Sequence, residues 1–561
     1  MFRRFPSLLI AIAAAVLAGC ATPPTPPTPT APSAREPLKV QVLAINDFHG
    51  NLLPPAPFRL QDPNDPKKTI QVPVGGSEAL ATAVKTLRAQ KPHHVFVAAG
   101  DLIGATPLLS ALFFDEPTLE SLTAMGLHLS AVGNHEFDAG WAELKRRQNG
   151  GCHPTEGCRG PAPFKGTGFQ YLAASTIDVA TGKTLLPPYQ VRRFDGVPVG
   201  FIGLSLESTP SLVMPSAVEG LRFDDEADSI NRWVKELQGQ GVEAIVVMIH
   251  EGGYATAGGY NGCEGLSGPI VDILKRMDKA VDLVVTGHTH RAYNCVVDGR
   301  RVTSGDKYGS MVTDIELQID RQTRDVVGTQ ASNILVRLDT FAKDPEQTAL
   351  LAGYIAKAKP LTERQVGRLA ADVPASGQND GNSPMGLLLA DAQLAATRGD
   401  GAELALMNTC GIRGSLSLEA TGGVIRFSDL FTAQPFSNVL ITLSLQGSEL
   451  LNLLQNQWRD GRACSRLQAS AGLRYSWDST RPAGQQVLVE SVTVNGQPLV
   501  LTRDYRITVN NFMAEGGDGF VELRKGRDRR TGPTDIDALE QYVKALGVVR
   551  PPALDRVTRL R

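Results

Sequence analysis

The sequence lacks any strong excess of charge and any pair of cysteines at the spacing of a zinc-binding knuckle. Lysine and arginine number 56 and aspartate and glutamate 58, so the formal net charge is -2 and no overall field favours nucleic acid. Seven cysteines occur without a Cys-x-x-Cys pair, which argues against cysteine-bound metal. Neither a Gly-x-Ser-x-Gly elbow nor a P-loop occurs, so the sequence gives no support to those two mechanisms.

Long apolar runs are also scarce, and the one at the N-terminus has the features of an export signal. Arg3 and Arg4 precede a short apolar run, Leu8 to Leu17, which leads into Ala18-Gly19-Cys20. A basic start, a short apolar core and small residues before the cleavage point are typical of a secretory signal peptide, here residues 1–19. The run is too short for a membrane-spanning helix, and no later segment approaches that length and apolarity.

The residues before Cys20 resemble a bacterial lipobox, which implies cleavage before Cys20 and lipidation of its thiol. The alternative is a plain signal peptide with an incidental cysteine. Ala21 follows the cysteine in place of aspartate, which suggests sorting to the outer membrane if the cell is Gram-negative. Residues 20–37 are rich in threonine and proline and would form a stiff, extended tether. We therefore expect a lipid-anchored protein of the cell envelope, in the outer membrane or periplasm if the cell is Gram-negative.

Six cysteines remain after Cys20, and an exported chain can oxidise them. Cys152 and Cys158 flank a short loop, and Cys263 and Cys295 both fall in predicted loops near candidate ligands. We expect each of these two sets to pair. Cys410 and Cys464 are left over, and a third bridge between them stays open, because sequence alone does not fix connectivity.

Five apolar runs, each followed by side chains that can bind a metal, organise the first half of the 561 residues. Predicted helices at 76–89 and 228–238 lie between some of them, and this alternation indicates α/β layers. Ligands in α/β proteins bind where strands end. The runs and the candidates that follow them are Leu38 to Ile45 with Asp47 and His49, Val95 to Ala99 with Asp101, Leu127 to Val132 with Asn134 and His135, Val242 to Ile249 with His250, and Val281 to Val285 with His288 and His290.

The spacing within these segments predicts side-chain directions if the chain there is extended. Asp47 and His49 are two residues apart and would point the same way, so they could chelate one ion. Asn134 and His135 are adjacent and would point to opposite sides, one to a metal and the other to a substrate. The seven candidate ligands offer oxygen and nitrogen but no sulfur, which suits zinc, manganese, iron, magnesium or calcium. Seven are too many for one tetrahedral ion and indicate two ions sharing a carboxylate.

The segments 46–50, 100–101, 133–138, 250 and 287–290 resemble the five sequence blocks of calcineurin-like metallophosphoesterases, in the order found in bacterial 5'-nucleotidases. The resemblance implies an α/β fold: a four-layer α/β/β/α sandwich followed by a smaller α+β domain that binds the substrate. It implies one metal held by Asp47, His49, Asp101 and His290, and another held by Asp101, Asn134, His250 and His288. His135 would then face the phosphoryl group, with Asp138 supporting it.

The second half of the chain has no histidine after His290, so a lid or dimerisation domain without chemistry is the simplest alternative there. A predicted helix from Asp344 to Thr362, with Leu350, Leu351, Tyr354 and Ile355 on its apolar stripe, leads into it. The expected domains are 38–340, a linker helix at 341–365, and 366–561. The resemblance implies that Asn408 and Arg413 contact phosphate, that Phe436 and Phe512 stack on the nucleobase, and that Asn438 and Asp518 bind polar edges of base or ribose.

Two departures from the family pattern leave the substrate open. Cys410 replaces a glycine in the family's Asn-x-Gly-Gly-Ile-Arg motif, and residues 378–382, Gln-Asn-Asp-Gly-Asn, lack an arginine that family members often carry. The basic run from Arg524 to Arg530 is interpreted as a solvated loop.

The expected function is a two-metal phosphohydrolase that cleaves the phosphate ester of extracytoplasmic nucleotides by attack of metal-bound hydroxide. Its cofactors would be two divalent metal ions, zinc, manganese or cobalt, and its partners a nucleotide and, through Cys20, a membrane, but no nucleic acid polymer. One alternative is a 2',3'-cyclic-nucleotide phosphodiesterase or a nucleotide-sugar or dinucleotide pyrophosphatase on the same scaffold. The other is a surface-binding lipoprotein without enzymatic activity.

Overall fold

The computed structural model describes residues 36–561, with the exception of 63, 64, 90, 377–381 and 459–462. Cys20, the predicted signal peptide, nearly all of the tether and positions 378–381 lie outside the described residues. Residues Pro37–Arg561 form one compact unit. None of the helices among the described residues has the length and apolarity needed to cross a membrane.

One six-stranded sheet is built around the first strand of the chain. The first four of its strands in chain order are parallel neighbours, and the last two add to the sheet as antiparallel strands on the other side of the first strand. In spatial order the strands are Val326–Leu335, Met311–Ile319, Leu38–Ile45, His94–Ala98, Leu129–Ala131 and Gln170–Leu172. Helices Ser77–Arg88, Leu108–Ala111, Glu116–Met125, Trp141–Asn149 and Pro345–Thr362 cover its outer face through a shared apolar core.

A second six-stranded sheet has four parallel strands flanked by an antiparallel strand at each edge. In spatial order its strands are Ala292–Val297, Arg300–Gly305, Leu283–Thr286, Ala244–Ile249, Val197–Leu204 and Tyr189–Phe194. Helices Glu226–Gly239 and Pro269–Arg276 pack on its outer face. The first of these helices begins at Asp225, whose carboxylate accepts from the Asp228 amide and so caps the helix.

The two sheets pack face to face through a core of valine, leucine, isoleucine and alanine side chains, with helices outside each sheet. This arrangement confirms the predicted four-layer α/β/β/α sandwich. Because parallel strands from both sheets end at one edge, the loops after them converge there. Two small sheets lie beside the sandwich, one of Phe58–Asp62 and Asp65–Val72 and one of Leu221–Phe223, Thr176–Asp178 and Lys183–Thr184.

The C-terminal half is a smaller mixed region of three sheets and six α-helices among the described residues, as predicted. A five-stranded sheet comprises Leu467–Ala469, Leu404–Asn408, Asp504–Asn510, Val439–Gln446 and Arg527–Thr534. A three-stranded sheet comprises Val424–Arg426, Gln365–Leu369 and Val548–Val549, and a four-stranded sheet comprises Gln497–Pro498, Thr493–Val494, Leu473–Trp477 and Val557–Arg559. The helices are Pro384–Thr397, Leu418–Thr421, Phe427–Ala433, Gly447–Gln455, Asn511–Ala514 and Asp535–Leu546.

Three cysteine pairs form disulfides, Cys152–Cys158, Cys263–Cys295 and Cys410–Cys464. The two expected pairings are confirmed, and the third bridge is present. The predicted loop position of Cys295 is wrong, because this residue lies in the strand Ala292–Val297 and is fully buried.

Two further sequence interpretations are wrong. The basic run 524–530 is not a loop throughout, because Arg527 to Arg530 begin an exposed edge strand, Arg527–Thr534, paired with Val439–Gln446. On the helix Pro345–Thr362, Leu351 and Tyr354 are buried as expected, but Ile355 is 41% exposed. The helix therefore packs on the sandwich through a narrower stripe than the sequence predicted.

Candidate metal centre

The first cluster at the convergent edge contains Asp47, His49 and His290, whose ligand atoms lie within 4.8 Å of one another. The Nε2 atoms of His49 and His290 are 3.1 Å apart. His49 Nδ1 lies 2.8 Å from the Gly104 carbonyl and donates to it, which leaves Nε2 with its lone pair directed toward His290. His290 Nε2 is also 3.3 Å from Asp47 Oδ1. These nitrogens and this carboxylate therefore face one small volume.

The second cluster contains Asp101, His250 and His288. His250 Nε2 lies 3.0 Å from Asp101 Oδ2, and His250 Nδ1 donates to the Ala99 carbonyl at 2.7 Å. The amide oxygen of Asn134 is 3.1 Å from His288 Nδ1, so Asn134 borders this cluster. Asp101 Oδ2 is in addition 3.6 Å from His49 Nε2, which places one carboxylate between the two clusters.

The backbone at these ligands is left-handed rather than extended. Positive φ angles occur at Asp47 (49°), His49 (44°), Asp101 (51°), His288 (67°) and His290 (52°). Such a conformation costs a non-glycine residue on the order of 1–3 kcal/mol and persists only where its surroundings enforce it. The expectation that Asp47 and His49 converge through an extended chain is therefore wrong, although the two side chains do face one cluster.

Hydrogen bonds between the loops enforce this backbone. The Asp47 amide donates to the Gly100 carbonyl at 3.1 Å, and the His49 amide donates to the Asp101 carbonyl at 3.0 Å. The His288 amide donates to the Asp47 carboxylate at 3.0 Å. Each ligand loop is thus fixed by a neighbouring ligand loop.

A helical turn, not an extended chain, separates the directions of Asn134 and His135. Asn134 has φ -69° and ψ -37°, and a short 3₁₀ helix, His135–Phe137, follows it. The expectation of an extended chain here is wrong, but the two side chains do diverge. Asn134 borders the second cluster, whereas His135 Nδ1 lies 2.7 Å from Asp138 Oδ2.

Burial and charge set the protonation of the two clusters. Burial lowers the pKa of His288 to about 3 and lowers the pKa values of His49 and His290, so these imidazoles are neutral and keep a lone pair. Burial would raise the pKa of Asp101, but His250 and His135 hold it well below its usual range. Burial lowers the pKa of His250, but the Asp101 charge outweighs burial and raises it to about 10.

The residues of the two clusters fit divalent metal ions. Four imidazoles and the carboxylates of Asp47 and Asp101 converge here, and the rings of His49 and His250 are each fixed through Nδ1, which leaves Nε2 facing the clusters. Burying so many polar groups together costs free energy unless ions bind them. The donor set of carboxylate, amide and imidazole atoms, without sulfur, suits borderline and hard ions.

Two of the predicted substrate residues reach this centre from the C-terminal half. The Phe436 ring stacks on His135, with ring centroids 5.9 Å apart and an interplanar angle of 22°. The Arg413 guanidinium lies 6.0 Å from the Phe436 centroid. Arg413 Nη2 is buried and makes no hydrogen bond within the described part of the chain.

The other substrate candidates lie at the end of a strand, in a short helix and in two turns or loops of the C-terminal half. Asn408 Nδ2 donates to Asp518 Oδ2 at 2.6 Å, so these two candidates contact each other directly. Phe512 is half-buried and packs over Gly517, where an added Cβ would lie 2.4 Å from its ring. Asn438 is half-buried on an adjacent loop, and its carbonyl accepts from the Asp535 amide at 2.7 Å. Their roles toward a substrate stay predictions.

Comparison with known families matches both halves of the chain. Residues 40–292 match the calcineurin-like phosphoesterases, and residues 361–524 match the 5'-nucleotidase C-terminal domain. Together these matches cover well over half of the chain. The chain belongs to the family that joins these two domains. Membership in this phosphoesterase family confirms the resemblance seen in the sequence and the predicted class of enzyme.

Individual relatives of this phosphoesterase chain are consistent with its family. It is 33% identical over 513 residues to the endonuclease YhcR of Bacillus subtilis, covering 91% of this chain but only 40% of that protein. It is 24% identical to a 5'-nucleotidase of Vibrio cholerae, covering 96% of this chain and 95% of that one. A 5'-nucleotidase precursor structure from Thermus thermophilus superposes with a TM-score of 0.77 at 27% identity, covering 93% and 100% of the two chains.

Sequence reasoning missed Glu136, which joins two ligand loops of the phosphoesterase domain. Its buried carboxylate accepts from the amides of Gly133 at 2.6 Å, Asp101 at 2.9 Å and Leu102 at 2.8 Å. Burial raises the pKa of Glu136 to about 7, and the amide donors oppose that rise. The available signal was an acidic residue within a motif that otherwise carries ligands, but only the fold shows that it points inward.

Sequence reasoning also missed Asn46 and Tyr308, which hold the first cluster. Asn46 Nδ2 donates to Asp47 Oδ2 at 2.7 Å and so fixes the carboxylate. The Tyr308 amide donates to the Asp47 carbonyl at 2.7 Å. Its ring lies edge-on to His49 and His290, with centroids 5.9 and 5.7 Å away. Tyr308 follows no motif in the sequence that would have indicated this position.

Proposed function

We propose that this phosphoesterase is a 5'-nucleotidase-type phosphohydrolase that binds two divalent ions and cleaves the phosphate ester of extracytoplasmic nucleotides. The observation that carries the proposal is the contact of Phe436 with His135. It places an aromatic ring of the C-terminal half, suited to a nucleobase, beside the residues suited to metal and phosphate.

One ion would be held by Asp47, His49, Asp101 and His290, and the other by Asp101, Asn134, His250 and His288. When bound, such a pair of cations supplies positive charge to the phosphoryl oxygens and lowers the pKa of a water molecule. Zinc, manganese and cobalt suit this mixture of imidazole and oxygen donors.

His135 is the group that would act on the substrate directly. Its side chain is 13% exposed, so it borders solvent while its Nδ1 is held by Asp138. This hydrogen bond orients the ring and leaves Nε2 to donate to a phosphoryl or leaving oxygen. Donation there stabilises negative charge as the ester bond breaks.

The C-terminal residues would bind the nucleotide. Arg413 has an unpartnered guanidinium nitrogen, and guanidinium groups donate paired hydrogen bonds to phosphate. Asn408 would donate to the phosphate as well. Phe436 and Phe512 would stack on the base, and Asn438 and Asp518 would bind polar edges of the base or ribose.

We further propose that the chain is exported and anchored by lipid on Cys20. Three disulfides among the described residues support an oxidising compartment. Detergent phase partition of the full-length chain tests the anchor. We expect the chain to enter the detergent phase and the Cys20→Ser variant to remain in the aqueous phase. Equal partition of both would contradict lipidation.

A substrate panel tests the proposed reaction. The purified chain is stripped with a chelator, reloaded separately with manganese, zinc or cobalt, and given adenosine monophosphate, a 2',3'-cyclic nucleotide or a uridine diphosphate sugar. We expect no turnover after stripping, and after reloading the highest kcat/KM on the monophosphate, with nucleoside and inorganic phosphate as products. A higher value on another substrate would assign that activity instead. Two bound ions without turnover of any substrate would favour a binding protein.

A further inference from the structure

The phosphate-binding loop of the C-terminal half is fixed to the domain by a disulfide. We propose that Cys410–Cys464 positions Arg413, so that affinity for phosphate esters depends on the oxidation state of this bond. The inference rests on the proposed function, because it concerns how the same site holds its substrate. Cys410 occupies a motif position between two substrate candidates, Asn408 and Arg413.

The Cys410 end of the bond lies in the loop itself. The strand Leu404–Asn408 ends where a single 3₁₀ turn, Thr409–Gly411, begins, and Arg413 follows two residues later. Cys410 is half-buried at the centre of this turn. A shift of this turn therefore moves Arg413, whereas Asn408 is held as the last residue of the strand, where it pairs with Leu467.

The residues that follow Cys464 contact a neighbouring turn and two tryptophans of the core. The next residue, Ser465, donates to the Gln457 carbonyl at 2.9 Å. The Arg466 guanidinium lies 4.8 Å from the Trp458 centroid and 5.8 Å from the Trp477 centroid. Both tryptophans belong to the main core of the C-terminal half. The disulfide thus ties the substrate loop to a fixed part of the domain.

The Arg413 side chain has no comparable anchor of its own. No carboxylate lies within ion-pair distance of its guanidinium among the described residues, and its Nη2 makes no hydrogen bond. Its amide donates to the Ala433 carbonyl at 2.8 Å, and Thr409 Oγ1 donates to the Arg466 carbonyl at 3.0 Å. Between these two points the loop has one backbone hydrogen bond of its own, from the Ile412 amide to the Thr409 carbonyl at 3.1 Å, and Cys410–Cys464 is its covalent link to the rest of the domain.

The bond can be broken by a dithiol, because both sulfur-bearing residues are half-buried rather than fully enclosed. In this exchange the protein S–S bond breaks and two protein thiols form. The dithiol supplies two electrons and two protons and closes to a cyclic disulfide. Exported proteins meet such reagents as thiol–disulfide oxidoreductases or small dithiols.

The first test compares two double variants of the full chain. Cys410→Ser/Cys464→Ser removes the proposed positioning bond, and Cys152→Ser/Cys158→Ser removes an exposed disulfide of the phosphoesterase domain as a matched control. We expect the first variant to lose about tenfold in kcat/KM on adenosine monophosphate and on an aryl phosphate, mainly through KM, because small misplacements of a binding group are costly. The control should stay within about twofold of the parent chain.

A cycle with Arg413→Ala separates positioning from general destabilisation. If the disulfide acts through Arg413, its removal in the Arg413→Ala background should change kcat/KM by less than about twofold, because coupled residues are not additive. In the Phe512→Ala background the full loss should persist. An undiminished loss in the Arg413→Ala background would show a merely structural bond and overturn the inference.

Reduction of the folded chain provides a measurement that does not depend on folding of the variant. Dithiothreitol should raise KM in the parent chain to the level of Cys410→Ser/Cys464→Ser and leave that variant unchanged. If free thiols are measured at Cys410 and Cys464 while the KM of the parent chain is unchanged, the inference is refuted and the proposed function is not. A parent chain that hydrolyses no phosphate ester with two ions bound would refute the proposed function instead.

Discussion

The candidate metal centre and the substrate candidates of the C-terminal half are held in contrasting ways. Around the metal centre, Asp47, His49, Asp101 and His250 are at most 1% exposed and lie on loops that hydrogen-bond one another. In the C-terminal half, Arg413 and Phe436 are half-buried, and the guanidinium of Arg413 keeps a nitrogen without a hydrogen bond among the described residues.

The two halves are therefore expected to respond differently to substitution of their side chains. Ions need donors fixed within a narrow range of positions, and the strained, cross-bonded loops provide such a frame. A nucleotide can be accepted by rings and a guanidinium that are less enclosed. Changes at the metal centre should therefore affect turnover with every substrate, whereas changes in the C-terminal half should distinguish among substrates.

The largest effect on turnover is expected from the variant His135→Ala. We expect turnover to fall about 10²–10³-fold on every phosphate ester, because the variant loses the donor to the reacting phosphate. Metal content, measured by plasma emission spectroscopy, should remain near two ions, since His135 is not a proposed ligand. Turnover like that of the parent chain would remove His135 from the reaction, and loss of metal would make it a ligand.

A smaller effect is expected from Glu136→Gln. The variant keeps the shape of the side chain but replaces one of the two oxygens that accept from four amides of the candidate ligand loops with a donor group. We expect metal affinity to weaken roughly 10–100-fold, as for other groups that orient metal ligands. Competition with a calibrated chelator measures this change, and Glu143→Gln, a carboxylate on the helix Trp141–Asn149, is the control. Equal chelator curves for both variants would contradict the positioning role.

The smallest and most selective effect is expected from Phe512→Ala. Base stacking contributes about 1–3 kcal/mol per base, so KM for adenosine monophosphate should rise by about tenfold. KM for a small aryl phosphate should change by less than about twofold, because that substrate has no nucleobase to stack. Steady-state kinetics on both substrates measure the split. Equal increases for the two would show that Phe512 supports the domain rather than the base.

The fold class and several helices and strands could be predicted from the sequence, because the patterns that indicate them extend over short stretches of chain. The first strand begins and ends at the predicted residues, Leu38–Ile45, and the helix Ser77–Arg88 differs from its prediction by one residue at each end. Apolar runs followed by polar turns indicate buried parallel strands whatever their neighbours are. The burial of Ile355 was predicted wrongly because it is not a local property. How much of a helix is buried depends on the surface against which the helix packs.

Only part of the candidate site could be predicted from the sequence, because only its motifs are local. The identities of Asp47, His49, Asp101, Asn134, His250, His288 and His290 follow from motifs, and the structure brings them to one edge. Their left-handed backbone was not predicted, because an extended chain was the simplest assumption for residues after a strand. Glu136 and Tyr308 were missed, since their partners lie far away in the chain. Asn46 was missed because its side chain is held toward Asp47 by the Asp306 carbonyl and the Gly305 amide, which are equally distant in sequence.

The sequence by itself determined the α/β class, the polar ends of five strands and the family resemblance, because periodicity and motifs are encoded over short stretches. Tertiary structure alone decided that Asp101 lies between two clusters, that Glu136 ties their loops together and that Phe436 reaches His135. Those facts depend on the packing of two sheets and two halves of the chain against each other. Distances between residues hundreds of positions apart are set by that packing and by no local pattern.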